Sequence, residues 1–137
     1  MKIGFTGTRC GMTVNQKTSL SELLTTLKPD EVHHGDCVGA DLEFANMVDS
    51  MFPEVPIICH PPIDKTHRAF FNKNAHVLEE KTHLARNRDI VNSCDVLIGC
   101  PLQEEHQSLG GTWYTIDYAE KQKKQVYIIS PKGGYKL

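Results

Sequence analysis

The sequence has no long apolar run and no paired cysteine motif. No segment approaches the roughly 20 apolar residues that a membrane-spanning helix requires, and "MKIGFTGTRCGM" at the N-terminus lacks the apolar stretch of a signal peptide. The five cysteines are an odd number without a C-x-x-C pair, which fits neither a disulfide framework nor a zinc site. These absences predict a cytoplasmic protein with reduced thiols and no membrane association.

A strong excess of charge is also lacking. The formal net charge is −2 and both signs are interspersed, which argues against nucleic acid as a partner. The histidines form no metal motif, because the adjacent His33 and His34 would point to opposite faces of a strand and the others lack H-x-x-x-H spacing. We therefore expect no metal site and no cofactor.

The chain alternates between β-prone and helical segments. Short apolar bursts occupy 2–5, 31–34, 55–59, 95–100 and 125–130, and helical periodicity occupies 13–27, 38–51, 83–93 and 112–123. This alternation predicts one domain, 1–137, of the α/β class: a Rossmann-like, doubly wound, mostly parallel sheet of about five strands with helices on both faces. The segment 60–81 is too long for an ordinary loop, so we expect it to be functional or mobile.

Glycine-bearing turns follow three of the predicted strands. They are "TGTRCGMT" (6–13), "GDCVGAD" (35–41) and "CPLQEEHQSLGGTW" (100–113). Ligands of open parallel sheets bind at the carboxyl ends of the strands, and glycines there expose backbone N–H groups beside positively polarised helix starts. The turns therefore predict an anion site and favour phosphate as the anion, although none matches the dinucleotide or nucleoside-triphosphate fingerprints.

Long polar side chains lie near the start of the helix at 83–93. Arg86 and Asn87 are placed where they would reach the same edge of the sheet. The spacing equally allows Arg86 and Arg88 to be surface groups or partners of Asp89 and Asp95, and both interpretations stay open.

These motifs, in order, resemble the SLOG superfamily. The resemblance is carried by "GFTGTR", "HHGDCVGAD", "RNRDIVNSCDVLIGCP" and "GGTWYTIDYA". The superfamily includes the Rossmann-like domain of the DNA-processing (Smf) proteins, the Lonely Guy phosphoribohydrolases once labelled lysine decarboxylases, and small stand-alone proteins of the YspA and YpsA groups. It implies a small-molecule nucleotide ligand at the carboxyl edge of the sheet and a homo-oligomer, since relatives often assemble.

The resemblance also implies roles for particular residues. Gly7, Thr8 and Arg9 would line the base or ribose side, and Gly110, Gly111 and Thr112 would hold a phosphate. A second wall would be formed by Gly35, Asp36, Gly39 and Asp41, and Arg86, with Asn87 beside it, falls where the phosphoribohydrolases keep a substrate-contacting arginine. If the protein hydrolyses an N-glycosidic bond, the catalytic residues would be Asp36, Asp41 and Arg86. Asp41 could instead serve only its own helix start.

The sequence departs from the phosphoribohydrolase pattern P-G-G-x-G-T-x-x-E. After Thr112 it offers Tyr114 and Thr115, and no carboxylate until Asp117. Binding is therefore better supported than turnover, with a non-catalytic nucleotide sensor and a protein handling single-stranded DNA as alternatives.

Aromatic and thiol side chains also lie near the predicted site. Trp113 would either stack on a base or pack under 60–81. Cys10 and Cys37 lie in the predicted site, whereas Cys59, Cys94 and Cys100 are expected in the core.

Overall fold

A computed structural model of the protein describes residues 1–135. The elements are, in chain order, β1 (Lys2–Gly7), α1 (Val14–Leu27), β2 (Glu31–His34), α2 (Ala40–Met51), β3 (Ile57–Cys59), β4 (Ala75–Val77), α3 (His83–Ser93), β5 (Val96–Cys100), α4 (Gly111–Lys121) and β6 (Gln125–Ile128). Local chemistry sets several of these bounds. Thr13 caps α1 in a reciprocal box with Gln16, with both bonds at 3.0 Å, because the first amides of a helix need acceptors outside it.

The six strands form one parallel sheet in the order β4-β3-β2-β1-β5-β6. The predicted α/β class with a doubly wound sheet is confirmed, and the prediction of about five strands is one short. The additional strand, β4, lies inside the 60–81 segment, pairs with β3 and forms one edge of the sheet. Its three residues are half-buried or exposed, so this strand contributes no fully buried side chain to the core.

Helices cover both faces of the sheet. On one face, buried side chains of α1 and α2, such as Leu24 and Phe44, pack against β1 and its neighbours, and the Phe5 and Phe44 rings stack at 4.3 Å. On the other face, Ile90 of α3 and Ile116 of α4 pack against Leu97 of β5. In the described part of the chain, no helix is both long and apolar enough to cross a membrane.

The strand order reverses beside β1. After β1 the chain passes through α1 to β2 on one side, whereas β5 pairs with the other side of β1 and leads into α4. The two connections therefore part above the carboxyl ends of β1 and β5, which is the place where open α/β sheets hold their ligands.

Candidate ligand-binding cleft

A cleft of about 480 Å³ lies at the switch point between β1 and β5. Most residues singled out from the sequence meet in its lining: Gly7, Thr8, Arg9, Gly35, Asp41, Arg86, Asn87, Gly110, Gly111, Thr112 and Trp113. The corners after β1, β2 and β5 therefore converge, as an anion site built from several turns requires. Asp36 and Gly39 are not part of this lining.

Close backbone packing joins the first two corners. A Cβ on Gly7 would lie 2.5 Å from the Cβ of Ala40, and the Ala40 N–H donates to the Thr8 carbonyl at 3.0 Å. Gly39 has a φ of 86° and its Cα is so close to the Arg9 carbonyl that a side chain would collide with it. Gly39 thus shapes the cleft from behind by letting α2 approach the β1 loop.

Arg86 is a buried anchor of the cleft wall. Its guanidinium donates to the carbonyls of Gly35 and His60, the latter at 3.2 Å. Its Nε donates to Asn87 Oδ1 at 2.8 Å, and His83 Nδ1 accepts from Nη2 at 3.0 Å. The surface interpretation of Arg86 is wrong, since only 6% of the residue is exposed. Arg88 does lie toward the surface, where it contacts the Tyr114 hydroxyl at 3.0 Å.

Asp41 supplies a buried carboxyl group to the cleft. Its Oδ2 accepts from the Cys37 N–H at 3.3 Å, so the first turn of α2 braces the corner after β2. Burial raises the pKa of Asp41 to about 6, against the opposing effect of the nearby Arg86 charge. Asp41 therefore braces the corner that precedes α2 and also lines the cleft, and its role toward a ligand stays a prediction.

Asp36 lies behind the cleft wall rather than in it. This residue is fully buried with a φ of 53°, and that left-handed backbone turns its side chain toward the 60–81 segment. Its carboxylate accepts from Arg68 Nε at 3.1 Å and from the Phe71 N–H at 3.0 Å. The position expected for Asp36 therefore differs from the observed one, because its charge holds the segment that contains β4.

The start of α4 is open to the cleft. Gly110 is the N-cap residue, with a φ of 108°, and no side chain caps the helix. A Cβ on Gly111 would meet only Asn87 Nδ2, at 3.8 Å. Because Asn87 Oδ1 accepts from Arg86, its amide nitrogen is directed to this helix start. The first-turn N–H groups of a helix lack partners inside it. The backbone amides of α4 and the Asn87 amide nitrogen therefore lie together as hydrogen-bond donors at this point.

Trp113 holds the loop between β5 and α4 in place. Its indole Nε1 donates to Gln103 Oε1 at 3.0 Å, and its ring meets the His106 ring edge-on at 5.2 Å. Trp113 is 5% exposed and packs with Ile116 and Leu97. Of the two predicted environments, packing is therefore observed, although beneath the 101–110 loop rather than beneath 60–81.

Several lining residues were not singled out from the sequence. They include His83, Leu84, Leu102, Gln103 and Leu109. His83 could have been found from its position three residues before Arg86 on one helix face. The leucines carry no such signal, because isolated exposed leucines are common on protein surfaces.

The cysteines near the cleft differ in exposure. Cys10 is exposed, whereas Cys37 is buried and its thiol pKa is raised by burial and by the Asp41 carboxyl. Cys59, Cys94 and Cys100 are buried, as expected of small core residues. The neutral thiol is therefore favoured at Cys37, which does not suit a nucleophile.

Donor atoms of His34, Asp36 and Cys59 lie within 4.8 Å of one another in the core. His34 Nδ1 accepts from the Asp36 N–H at 2.9 Å, and Cys59 Sγ lies 3.5 Å from Nε2. Burial lowers the pKa of His34 to about 3. The neutral ring therefore carries its proton on Nε2, directed at the sulfur, and offers no lone pair to a metal ion. This arrangement suits a hydrogen-bonded core cluster better than a metal centre.

Two solved structures resemble the chain. The structure of the molybdenum cofactor binding protein from the phototrophic bacterium Rippkaea orientalis matches 94% of this chain and 76% of its own, with a TM-score of 0.69 and 20% identity. The X-ray structure of TM1055, a structural genomics target, matches 91% of this chain and 71% of its own, with a TM-score of 0.59 and 17% identity. No protein-family model and no curated protein matches the sequence. The likeness establishes a Rossmann-like α/β fold.

Proposed function

We propose that the protein binds a phosphorylated nucleoside in the cleft. The observation that carries the proposal is the uncapped start of α4, where Gly110, Gly111 and Thr112 border the same cavity as Arg9 and Asn87. Open first-turn amides and the positive end of a helix favour an oxyanion. The resemblance of the sequence motifs to the SLOG superfamily supports a nucleotide as the source of that phosphate.

The rest of the cleft suits a nucleoside. Leu84, Leu102 and Leu109 give its mouth an apolar rim, with exposed fractions of 49, 54 and 84%, against which a flat base would bury surface. Asp41 offers an acceptor for a ribose hydroxyl. A ligand with a flat apolar portion, a polyhydroxylated portion and an anionic group therefore complements the lining.

Calorimetric titration with AMP, adenosine and inorganic phosphate tests the proposal. AMP is expected to bind at least about tenfold more tightly than adenosine, since charge-assisted hydrogen bonds to phosphate contribute more than about 1.4 kcal/mol. Equal affinities for AMP and adenosine would remove the phosphate from the α4 start. Because the Rippkaea orientalis protein is described as binding the molybdenum cofactor, that cofactor is a further ligand for the same titration.

Hydrolysis of an N-glycosidic bond is the second candidate function. Among residues 1–135, Asp41 is the one acidic side chain that lines the cleft, and its raised pKa suits a group that carries a proton near neutral pH. Asp117, the first carboxylate after Thr112, lies on the exposed side of α4 and pairs with His106 at 2.9 Å. Catalysis would thus use Asp41 in place of the glutamate of the phosphoribohydrolases.

Incubation with AMP and chromatographic detection of adenine and ribose 5-phosphate separates binding from turnover. If hydrolysis occurs, Asp41→Asn should abolish base release while AMP remains bound. If AMP binds and the wild-type protein releases no adenine, the hydrolase assignment fails and a sensor or sequestering role follows.

A further inference from the structure

A second cavity of about 360 Å³ lies outside the nucleotide cleft, beside α3 and the ends of β3 and β4. Its polar lining consists of His60, Glu79, Lys81, Arg86, Asp89, Asn92 and Ser93. His60 follows β3 and is only 4% exposed. The cavity shares Arg86 with the wall of the nucleotide cleft, but the proposed nucleotide-binding function makes no use of its other groups.

A chain of hydrogen bonds fixes the protonation of His60. Glu31 Oε2 lies 2.6 Å from His33 Nε2, and His33 Nδ1 lies 2.8 Å from His60 Nε2. A carboxylate only accepts, so the Glu31 end requires a proton on His33 Nε2. Burial lowers the pKa of both His33 and His60, so both rings are neutral. His33 Nδ1 is then an acceptor, and His60 Nε2 must donate to it.

The same chain leaves His60 Nδ1 with a free lone pair. No side-chain or backbone group among residues 1–135 donates to that nitrogen. In the same residues, no fully buried side-chain nitrogen or oxygen lacks a partner, so Nδ1 cannot be sealed inside the protein. His60 lines the second cavity. It is therefore a nearly buried polar side chain in the cavity wall, with an acceptor lone pair that no group among residues 1–135 uses.

The neighbouring groups define what would complement that lone pair. Asn92 Oδ1 accepts from the Tyr118 hydroxyl at 3.0 Å, which leaves the Asn92 amide nitrogen as a donor. Lys81 Nζ and Asp89 Oδ2 form an ion pair at 2.6 Å and neutralise each other. The other charged groups of the lining, Glu79 and Arg86, are also of opposite sign, so its formal charges sum to zero. The cavity therefore presents an acceptor at His60 and a donor at Asn92 in a lining without net charge.

We propose that the second cavity binds a small uncharged ligand with an adjacent N–H donor and carbonyl acceptor, as in a carboxamide or lactam. The N–H of the ligand donates to His60 Nδ1, and its carbonyl accepts from Asn92. Glu31 and His33 act as positioning residues, because they hold His60 in the tautomer that can accept.

Nitrogen-detected NMR of the imidazole rings tests the hydrogen-bond chain directly. At neutral pH, His33 and His60 are both expected as Nε2–H tautomers, with an unprotonated Nδ1 on each ring. A proton on His60 Nδ1 would overturn the proposal, whichever ligand is present.

Titration with 2-pyridone and its N-methyl derivative tests the ligand class. The two compounds differ in the donor, so 2-pyridone should shift the His60 Nδ1 resonance and bind about tenfold more tightly, the effect of one hydrogen bond to a buried acceptor. Equal binding, or no shift at His60 with either compound, would overturn the assignment.

Matched variants separate this site from the rest of the protein. His60→Gln should abolish the preference for 2-pyridone, whereas His76→Gln, at an exposed histidine of β4, should retain it. If His60→Gln does not fold, the comparison of the two compounds on the wild-type protein still decides. AMP binding serves as an independent readout, so loss of the nucleotide proposal would leave this result unchanged.

Discussion

At the scale of single residues, substitution of Gly111 distinguishes a phosphate site from a turn that needs glycine only for its backbone conformation. A Cβ there would lie no closer than 3.8 Å to Asn87 Nδ2, its nearest neighbour outside the local backbone, so we expect the fold to tolerate a side chain that fills the space before the α4 amides. Gly111→Phe should weaken AMP binding at least about tenfold and leave the melting temperature nearly unchanged. Calorimetry and thermal denaturation measure the two effects.

Two matched substitutions serve as controls for Gly111→Phe. Gly111→Ala adds one methyl group and should cause a smaller loss of AMP affinity. Gly7→Ala should instead destabilise the fold, because its Cβ would lie 2.5 Å from that of Ala40 and overpacking of this kind costs about 1–3 kcal/mol. Unchanged AMP affinity in Gly111→Phe would exclude phosphate from the α4 start.

The buried carboxyl group of Asp41 predicts a pH dependence of stability. Its pKa rises to about 6 in the folded protein but is about 4 in an unfolded chain. The folded state therefore binds the proton more strongly, and stability gains from this group as pH falls from about 6 to about 4. Above that window, the buried charge costs about 2–3 kcal/mol.

Urea denaturation of the wild-type protein and Asp41→Asn at several pH values measures this contribution. Asparagine keeps an acceptor for the Cys37 N–H but does not titrate in this range. The stability advantage of Asp41→Asn should therefore be largest at pH 7 and shrink by about 2–3 kcal/mol by pH 4. A constant difference across the range would show that Asp41 titrates as an exposed carboxylate does.

At the scale of elements, Asp36 couples the 60–81 segment to the corner after β2. Arg68 contacts Asp36 and Glu80, both at 3.1 Å, and its guanidinium stacks over the Phe70 ring at 4.4 Å. Asp36→Asn removes the charge yet tolerates the left-handed backbone, since Asn adopts that conformation readily. We expect a loss of about 2 kcal/mol, typical of a buried hydrogen bond to a charged group, and faster amide exchange in 67–78.

The same variant separates support of the segment from ligand contact. Because the Asp36 carboxylate does not line the cleft, AMP affinity should change less than about threefold in Asp36→Asn, within the range of effects below one hydrogen bond. Asp41→Ala provides the contrast, because it removes a side chain that does line the cleft and should therefore weaken AMP binding more than Asp36→Asn does. A large loss of AMP affinity in Asp36→Asn with unchanged exchange in the segment would place Asp36 in the binding site.

Elements with strong local signals were predictable, and those fixed by tertiary contacts were not. The periodic segment at 83–93 is observed as α3 with the same bounds, because a threonine cap precedes it and Ile90 and Val91 mark its buried face. β4 escaped prediction because Ala75, His76 and Val77 form a strand only through pairing with β3. The position of the Asp36 side chain depends on the left-handed backbone conformation of this residue. Aspartate adopts that conformation too seldom for it to be assumed from the sequence.

At the scale of the whole molecule, the cleft lies between the hydrophobic clusters on the two faces of the sheet. Helices α1 and α2 cover one face of the sheet and α3 and α4 the other, and the cleft is lined by the start of α4 and by the corners that lead into α1 and α2. These corners converge because the strand order places the carboxyl ends of β2, β1 and β5 side by side at one edge of the sheet. Arg86 reaches across the cleft from α3 to the Gly35 carbonyl after β2.

A ligand in this cleft should therefore protect distant parts of the chain together. Hydrogen exchange with and without saturating AMP is expected to slow at residues 7–12, 39–43 and 110–114 by the same factor, because one ligand stabilises each of these segments only while all three are assembled. The edge strand β4, which lies outside the cleft, should exchange at an unchanged rate and provides the internal control. Protection confined to 110–114 would show that the anion occupies the helix start alone, without the nucleoside that connects it to the β1 and β2 corners.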